Sequence, residues 1–404
     1  MKIIERPVYL ERISHYLHRD TIIILTGQRR VGKSYLLRSL RDKLEAEETN
    51  NVIFIDKEKK EYDPISSYRE LNAYIDERRK EGANNYILID EIQDIEGFER
   101  SLRAYYEEED IELIVTGSNS EMLSSELSTI IGGRYKEIYI QSLSYSEFLI
   151  FHNLEDSEDS LMKYLRFGGL PGLVRTGFYE DDALEYQNDV LNTVLMKDII
   201  MRHNIRNAPF LQNLIKYLSD NDGKLISATN IARYMKSGAN AVSPGLILDY
   251  ISYLVEAYIV KQVERFDIHG KKLFENNNKY YFQDIGIRNA LVTGVRSFDI
   301  EKVVENAVYN QLLFLGFNVT IGQLRDKEID FVATRNGYGP IYIQVAYIIG
   351  SEETYNREFG NLKAIKDNHP KYVISMTPLM DGTDDGGIRH ISLRHFLNST
   401  ENFL

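Results

Sequence analysis

Residues 26–34 combine two glycines, a lysine and a hydroxyl in a spacing suited to binding phosphate. From Gly27 onward they match the pattern G-x-x-x-x-G-K-[ST] at every position. The glycines let successive backbone N–H groups turn inward, and Lys33 would reach the β- and γ-phosphates of a nucleoside triphosphate. The hydroxyl of Ser34 would ligate Mg²⁺. The motif therefore predicts a phosphate-binding loop, or P-loop.

The residues predicted to contact the nucleotide are those of the loop and the start of the helix that follows it. They are Gly27, Gln28, Arg29, Arg30, Val31, Gly32, Lys33, Ser34 and Tyr35. The positive N-terminal end of that helix adds to the anion site. The alternative is a glycine-rich turn that matches by chance, and the apolar strand before the loop and the helix after it argue against this.

Asp90 and Glu91 form a second chemically active pair at the end of an apolar segment. A carboxylate at Asp90 can hold Mg²⁺ through water, so we expect this segment to be a strand beside the P-loop. Glu91 would polarise the attacking water. The alternative is an ordinary polar strand end, which the P-loop upstream disfavours.

Three further polar residues are candidates for the same site. Ser118 and Asn119 close the next apolar segment and would sense the γ-phosphate, although their composition is also that of a simple turn. Arg134 would stabilise the charge of the transferring phosphoryl group. The alternative for Arg134 is a surface arginine paired with an acid, and the sequence does not decide between a role in cis and one in trans.

Alternating strands and helices must position these groups. We predict strands at 21–25, 51–56, 86–91, 112–118 and 136–140, with a helix at 35–44 after the P-loop. This alternation predicts an α/β P-loop NTPase domain over residues 1–150, with a parallel sheet covered by helices on both faces. A strand between the P-loop and Asp90 points to the additional-strand class of these folds.

The order of several short motifs makes the relationship more specific. The chain contains G-Q-R-R-V-G-K-S, L-I-D-E-I-Q, T-G-S-N-S, G-G-R, S-L-S-Y-S-E-F-L and Y-L-R-F-G-G-L-P-G in that order. In this it resembles bacterial and archaeal P-loop ATPases of the AAA+ and STAND-like class, which carry a C-terminal domain of unknown function. The resemblance implies ATP, with Mg²⁺, rather than GTP, since no guanine-specific N-K-x-D motif follows.

Residues 151–207 read as a helical connector and residues 208–298 as a winged-helix domain. The predicted helix-turn-helix has its first helix at 227–235, its turn at 236–242 and its second helix from Pro244. The wing strands would be 273–274 and 280–282, joined by a turn at 275–278, and Lys279 and its neighbouring basic residues read as a solvated edge. The second helix carries Asp249 and Glu256 but no basic residue, which favours protein packing over DNA reading.

Residues 299–404 follow a helix–three-strand–helix–strand order that resembles the restriction-endonuclease-like fold, the PD-(D/E)xK superfamily. The resemblance assigns Glu305 as the helix acid, Asp330 as the metal-binding aspartate and Gln344 as the next ligand position. The expected lysine is replaced by Ala346, and Lys363 or Lys366 could substitute only by placement. We therefore predict an inactive nuclease-like domain.

Composition narrows the remaining functions. The chain has 404 residues, a net charge of −13 and no cysteine, which argues against broad attraction to nucleic acid and excludes disulfides. No apolar run approaches the roughly 18 residues that span a bilayer, and no signal peptide is recognisable, so we expect a cytoplasmic protein.

The leading hypothesis is an ATP-binding protein and weak ATPase that acts as a nucleotide-dependent switch, repositioning its winged-helix and C-terminal domains for a protein partner. One alternative is a DNA-binding or DNA-processing ATPase in defence or mobile-element biology. Another is a nucleotide-bound scaffold that does not hydrolyse ATP.

Overall fold

The structure is a computed structural model that describes residues 4–119, 131–235, 242–273, 277–292, 299–378, 382–384 and 386–399. The chain forms two compact units. The first comprises Met1–Gln141 and Glu256–Tyr258, and the second comprises Ser142–Val255 and Ile259–Leu404. The chain therefore returns to the first unit once, for the short segment Glu256–Tyr258.

A parallel sheet forms the centre of the first unit. Its strands are β1 (Ile22–Thr26), β2 (Asn50–Asp56), β3 (Asn84–Asp90), β4 (Ile111–Thr116) and β5 (Tyr135–Tyr139). Their spatial order is β2-β3-β4-β1-β5, and every neighbouring pair is parallel. Every residue of β1 is buried, as expected for an inner strand of a sheet covered on both faces.

Helices connect these strands because parallel neighbours require crossover connections. The helices of the first unit are α1 (Pro7–Tyr16), α2 (Lys33–Leu44), α3 (Tyr68–Arg78) and α4 (Phe98–Tyr106). Ile24, Ile55, Ile89 and Val115 are buried together in one apolar cluster, each from a different strand. These features confirm the predicted α/β P-loop class, with strand ends within two residues of those predicted.

One expectation about the sheet is wrong. The strand that ends at Asp90 does not neighbour the P-loop strand, because β4 lies between them and pairs with both. The inserted strand brings its own polar end, Thr116, between the P-loop and Asp90. Thr116 is therefore placed to contact the residues at the end of β3.

The second unit begins with helices. They are α5 (Tyr145–His152), α6 (Glu158–Phe167), α7 (Glu180–Val194), α8 (Ala208–Asp220), α9 (Ala228–Tyr234), α10 (Pro244–Glu256), α11 (Ile285–Leu291), α12 (Ile300–Phe314), α13 (Glu352–Lys363) and α14 (Leu393–Asn398). A π-helix, Leu195–Ile200, continues α7. No helix in the described part of the chain is long and apolar enough to cross a membrane.

Most strands of the second unit form one mixed sheet. The strands are β6 (Val260–Val263), β7 (Arg265–Asp267), β8 (Lys272–Leu273), β9 (Lys279–Phe282), β10 (Asn318–Leu324), β11 (Lys327–Thr334), β12 (Ile341–Ala346), β13 (Lys371–Ser375), β14 (Gly382–Thr383) and β15 (Arg389–Ser392). The sheet order is β14-β15-β13-β12-β11-β10-β7-β8, and β6 pairs separately with β9. The helix and strand order predicted after Asp299 is thus present.

The strands predicted for the wing have other partners. Leu273 pairs with Phe266 of β7, whereas Tyr280–Phe282 pair with β6, so these two segments do not form the predicted hairpin. In addition, β7 joins the C-terminal sheet through β10. Most of the predicted turn 236–242, residue 274 of the first wing strand, and residues 275–276 of the wing turn lie outside the described residues. The winged-helix assignment stays a prediction.

Candidate active site

The P-loop connects the end of β1 to the start of α2, and two glycines carry its sharpest turns. Gly27 has φ +140°, and a Cβ there would lie 2.1 Å from the carbonyl oxygen of Ile140. Gly32 has φ +102° at the N-cap of α2. Side chains are excluded at Gly27 by contact and at both glycines by conformation. The glycines of the motif are therefore required by the backbone itself.

Lys33 is held by the loop that it follows. Its side chain is buried, and Nζ donates hydrogen bonds to the carbonyl oxygens of Gly27 at 2.8 Å and of Gln28 at 3.1 Å. The ammonium group is thereby fixed against the loop, at the N-terminus of α2. Both the positive charge and the helix end favour binding of an anion at this position.

Arg6, which the sequence did not suggest, stabilises the P-loop through hydrogen bonds to backbone carbonyl groups. It is buried, and Nη1 donates to the carbonyl oxygens of Val31 at 3.1 Å and of Gln141 at 3.0 Å. Its guanidinium also lies 4.4 Å from the ring centroid of Tyr9 in α1. Arg6 therefore ties the P-loop to α1 and to the segment after β5.

Asp90 is fully buried at the end of β3. The hydroxyl of Thr116 donates to its Oδ1 at 2.6 Å, while Oδ2 is buried without a hydrogen-bond partner among the described residues. Burial raises the pKa of Asp90 to about 6, although the nearby hydroxyls of Thr116 and Ser34 oppose the shift. An unpaired buried carboxylate oxygen near a serine hydroxyl fits a Mg²⁺ site, in which Asp90 and Ser34 would be the protein groups.

Glu91 follows in a left-handed conformation, with φ +53°. Its backbone N–H donates to the hydroxyl of Thr116 at 2.9 Å, and its carboxylate accepts a hydrogen bond from Nε2 of Gln93. Burial alone would raise the pKa of Glu91, but the charges of Lys33 and Arg29 and the hydrogen bond from Gln93 lower it below its ordinary value. Glu91 is thus held as a carboxylate beside the P-loop lysine.

Thr116 is the functional residue that sequence reasoning missed at this end of the sheet. Its hydroxyl donates to Asp90 and accepts from the Glu91 backbone, so one side chain fixes both acidic positions. The available signal is its place at the end of β4, two residues before Ser118. Only the order of the strands shows that this end lies between the P-loop and Asp90.

Ser118 and Asn119 follow the carboxyl end of β4, at the same end of the sheet as the P-loop. Both are buried, and Gly117 N donates to the carbonyl oxygen of Leu25 in β1 at 3.0 Å. The Ser118 hydroxyl contributes to the lowered pKa of Glu91. A sensing role for these two residues stays a prediction.

The remaining P-loop residues divide into buried and exposed groups. Gln28 and Val31 are buried, and neither polar atom of the Gln28 amide has a hydrogen-bond partner in the described chain. Arg29 is half-buried and acts on Glu91 through its charge. Arg30 and Tyr35 are exposed. Their contact with a nucleotide stays a prediction.

Arg134 does not reach the P-loop within one chain. Its carbonyl oxygen accepts from Ile22 N at 3.1 Å, which places it at the amino end of β1, whereas the P-loop follows the carboxyl end. A five-residue strand separates the two ends by about 13 Å. The guanidinium instead lies 3.8 Å from the carboxylate of Glu107. This geometry gives no support to catalysis by Arg134 in cis, and a role in trans stays a prediction.

Comparison with known proteins identifies the family to which this chain belongs. Residues 19–149 match a family model described as an AAA domain, and residues 158–299 match a domain of unknown function. A Haemophilus influenzae protein is 32% identical over 382 residues, covering 92% of this chain and 93% of that protein. The chain belongs to this family of AAA-domain proteins.

Two further similarities agree with this assignment. A Methanocaldococcus jannaschii protein is 27% identical over 387 residues, covering 91% of this chain and 82% of that protein. The Walker-type ATPase PABY2304 of Pyrococcus abyssi is 16% identical and covers 72% of this chain and 96% of its own, with a TM-score of 0.50. That likeness shows a shared fold. The first unit of this AAA-domain protein is a nucleotide-binding P-loop module, as predicted.

The C-terminal carboxylates of the AAA-domain protein surround a lysine that was expected to be solvated. Lys279, in β9, is only 3% exposed. Its Nζ lies 3.1 Å from a carboxylate oxygen of Glu305 in α12 and 2.9 Å from one of Glu328 in β11. Burial would lower the pKa of Lys279, but Glu305, Asp330 and Glu328 together raise it above its ordinary value. Lys279 is therefore a buried cation and not an edge residue.

The other positions assigned by the nuclease resemblance lie on neighbouring strands. Asp330 accepts from Val345 N at 2.7 Å, and burial, followed by the charge of Glu305, raises its pKa well above the ordinary value. Gln344 is buried, and Ala346 ends β12. In the described residues no group of three His, Cys, Asp or Glu side chains is arranged to hold a metal ion.

The two lysines suggested as substitutes have partners elsewhere. The Nζ atom of Lys363 lies 2.8 Å from a carboxylate oxygen of Asp384. Lys366 donates to the carbonyl oxygen of Lys363 at 3.4 Å. Among the lysines named, only Lys279 lies at the carboxylates, and it comes from a part of the chain that the sequence assigned to the wing.

Proposed function

We propose that this AAA-domain protein hydrolyses ATP through Glu91. The observation that carries the proposal is the bridge made by Thr116, which fixes Asp90 and Glu91 together at the P-loop end of the sheet. The charge of Lys33 acts on Glu91 in the same place. A base, a cation for phosphate and a carboxylate for a metal ion are the groups that phosphoryl transfer to water requires.

In the proposed reaction, water attacks the γ-phosphorus of ATP and its proton passes to the Glu91 carboxylate. A bond forms between the water oxygen and phosphorus, and the bond from phosphorus to the β,γ-bridging oxygen breaks to release ADP. Lys33 binds the β- and γ-phosphate oxygens, where its charge opposes the negative charge of the transition state. Mg²⁺, held by Ser34 and by Asp90 through water, would supply further charge stabilisation when bound.

The switch part of the proposal follows from the path of the chain. Helix α10 belongs to the second unit as far as Val255, and its last residue opens the segment Glu256–Tyr258, which belongs to the first. The ring of Tyr258 lies 5.4 Å from that of Tyr139 in β5. Thr26 and Glu137 act on the Tyr258 hydroxyl as well, and Thr26 is the residue before Gly27. A change in the P-loop thus has a short route to α10, through the non-covalent interactions of Tyr258 and then along the segment Glu256–Tyr258.

The exposed side chains of α10 are better suited to binding a protein partner than to binding DNA. Leu246 and Leu248 are exposed on this helix at 37% and 54%, and its charged residues are acidic. A helix without basic residues offers little to phosphates or to base edges. DNA binding or processing is the second candidate, and the net charge of −13 disfavours it.

We also propose that the nuclease-like carboxylates are structural. Lys279 and the Tyr281 hydroxyl both contact Glu305, so the position where a metal ligand was predicted is already neutralised inside the protein. Magnesium-dependent DNA cleavage that disappears in Asp330→Ala would contradict this proposal. Cleavage that also disappears in Lys279→Met would show that Lys279 acts in it.

Steady-state ATP hydrolysis by the full chain tests the main proposal. Lys33→Ala and Glu91→Gln should abolish steady-state turnover, and Glu91→Gln should still bind ATP because it keeps the shape of the side chain. Turnover that survives either substitution contradicts the assignment. Tight ATP binding without turnover in the wild type would instead favour a scaffold.

Two additions to that assay separate the remaining alternatives. Stimulation by double- or single-stranded DNA would favour the DNA-processing function. Hydrogen exchange compared between ATP-bound and ADP-bound protein tests the switch, which predicts altered protection in α10. Identical exchange in both states would overturn it.

A further inference from the structure

We infer that Gln93 is a positioning residue, whose side-chain amide holds the Glu91 carboxylate in the orientation needed to accept a proton from water. This inference rests on the proposed hydrolysis of ATP through Glu91. Gln93 belongs to the motif L-I-D-E-I-Q, in which the two acids have predicted roles and the glutamine has none.

The contact itself is a hydrogen bond from Nε2 of Gln93 to Oε2 of Glu91. It engages one oxygen of the carboxylate, Oε2, and Oε1 takes no part in this bond. A neutral amide suits this task, because it fixes the carboxylate without adding a full positive charge that would weaken it as a base. The two cations that act on Glu91, Lys33 and Arg29, come from the P-loop and not from this turn.

The turn that carries Gln93 is rigidly attached. Residues Ile92–Asp94 form one 3-10 turn, in which Asp94 N donates to the Glu91 carbonyl oxygen at 3.1 Å. Ile92 and Ile95 are buried on either side of Gln93, at 0% and 1% exposure. The left-handed backbone of Glu91 bends the chain so that Gln93, two residues later, folds back on it. The position of Gln93 is therefore fixed by the turn and by the buried side chains of Ile92 and Ile95.

The second polar atom of Gln93 gives an independent indication of a bound molecule. Its Oε1 is buried and has no hydrogen-bond partner among the described residues. Buried carbonyl oxygens are rarely left unpaired, and an ordered water is the usual partner. A water bound there would lie beside the Glu91 carboxylate, where the attacking water must be.

A double-mutant cycle tests the role. Gln93→Met keeps the length of the side chain and removes the hydrogen bond, and we expect kcat to fall about 10- to 100-fold, the effect of losing one bond to a charged group. The KM and the Kd for ATP should stay within about twofold, since Gln93 lies outside the P-loop and is not one of the groups assigned to Mg²⁺. Gln93→Asn keeps the amide on a shorter side chain and should recover part of kcat.

The cycle is completed in single-turnover experiments in the Glu91→Gln background. There Gln93→Met should have no further effect, because no carboxylate remains to be positioned. Glu96→Gln, an exposed side chain nearby in the same connection, is the matched control and should leave kcat within about twofold.

Three outcomes would overturn the inference. They are wild-type kcat in Gln93→Met, an equal loss of kcat and ATP affinity, and the same fold-loss in both backgrounds. If Gln93→Met does not fold, the same comparisons apply to Gln93→Asn. Failure of the proposed function looks different, since Glu91→Gln itself would then turn over ATP at the wild-type rate.

Discussion

Replacing Thr116 with valine removes the bridge between the two acids without changing the shape of the side chain. The Thr116 hydroxyl is fully buried, donates to Asp90 Oδ1 at 2.6 Å and accepts from Glu91 N at 2.9 Å. A hydrogen bond to a charged group contributes about 1.5–3 kcal/mol, and a buried N–H left unpaired costs about 1–3 kcal/mol. Because the two losses share one site and are not additive, we expect Thr116→Val to lower the free energy of unfolding by about 3–5 kcal/mol.

The same substitution should weaken metal-dependent binding in a pH-dependent way. Burial holds the pKa of Asp90 at about 6, and the Thr116 hydroxyl is one of the groups that lower it, so its loss raises this pKa further. Since a proton competes with Mg²⁺ for the carboxylate, Mg²⁺-ATP affinity in the variant should fall about tenfold at about pH 6.5. At about pH 8.5 Asp90 is more fully ionised in both proteins, and the difference should shrink.

Two measurements check this prediction. Calorimetric titration with Mg²⁺-ATP at both pH values gives the affinities. Urea unfolding followed by far-UV circular dichroism shows whether unfolding of the first unit, which contains Thr116, moves to a lower urea concentration. Thr116→Ser keeps the hydroxyl and is the matched control. If Thr116→Val binds Mg²⁺-ATP as tightly as the serine variant near pH 6.5 and unfolds at the same urea concentration, the bridge does not have the role assigned to it.

Three other substitutions have definite expected outcomes. Gly27→Ala should abolish ATP binding in a titration, because its Cβ would lie 2.1 Å from the Ile140 carbonyl oxygen, whereas Gly82→Ala, at an open left-handed position, should not affect binding. Burial lowers the pKa of His152 from 6.5 to about 4, so this residue costs stability as the pH falls from about 6.5 to 4. His152→Phe should therefore unfold at a lower pH in an acid titration. The variant avoids a loss of about 1–2 kcal/mol in the free energy of unfolding, after allowance for partial exposure. Lys279→Met should destabilise the second unit by about 3–5 kcal/mol in a thermal melt near neutral pH, because two carboxylates lose a buried cation.

The sequence predicted the first unit well because its signals are local. The P-loop is a contiguous run, its glycines are required by their own backbone angles, and the strands are short apolar segments that end in recognisable polar residues. The strand end at Asp90 was predicted for the same reason, and the catalytic roles of Asp90 and Glu91 stay predictions. Sequence patterns of this kind do not depend on which strands become neighbours.

The parts that were missed depend on neighbours in space. Thr116 matters because β4 inserts between β1 and β3, and Arg6 matters because the ends of α1, the P-loop and β5 meet. The position of Arg134 also depends on the sheet, since this residue precedes β5 at the end of the sheet opposite the P-loop, and its role in trans stays a prediction. Strand order is a property of the whole sheet, and no single segment contains it.

The buried lysine of the second unit changes how its acidic residues should be interpreted. Lys279 reads as a solvated residue on an edge because it falls in the predicted wing hairpin, yet its partners come from α12 and β11. A buried ammonium group is tolerated only when carboxylates accompany it. Glu305 and Glu328 therefore pair with a buried cation in the folded protein, whether or not a metal ion binds. Their presence is weak evidence for a nuclease, and the chemistry of this chain is better sought at Glu91.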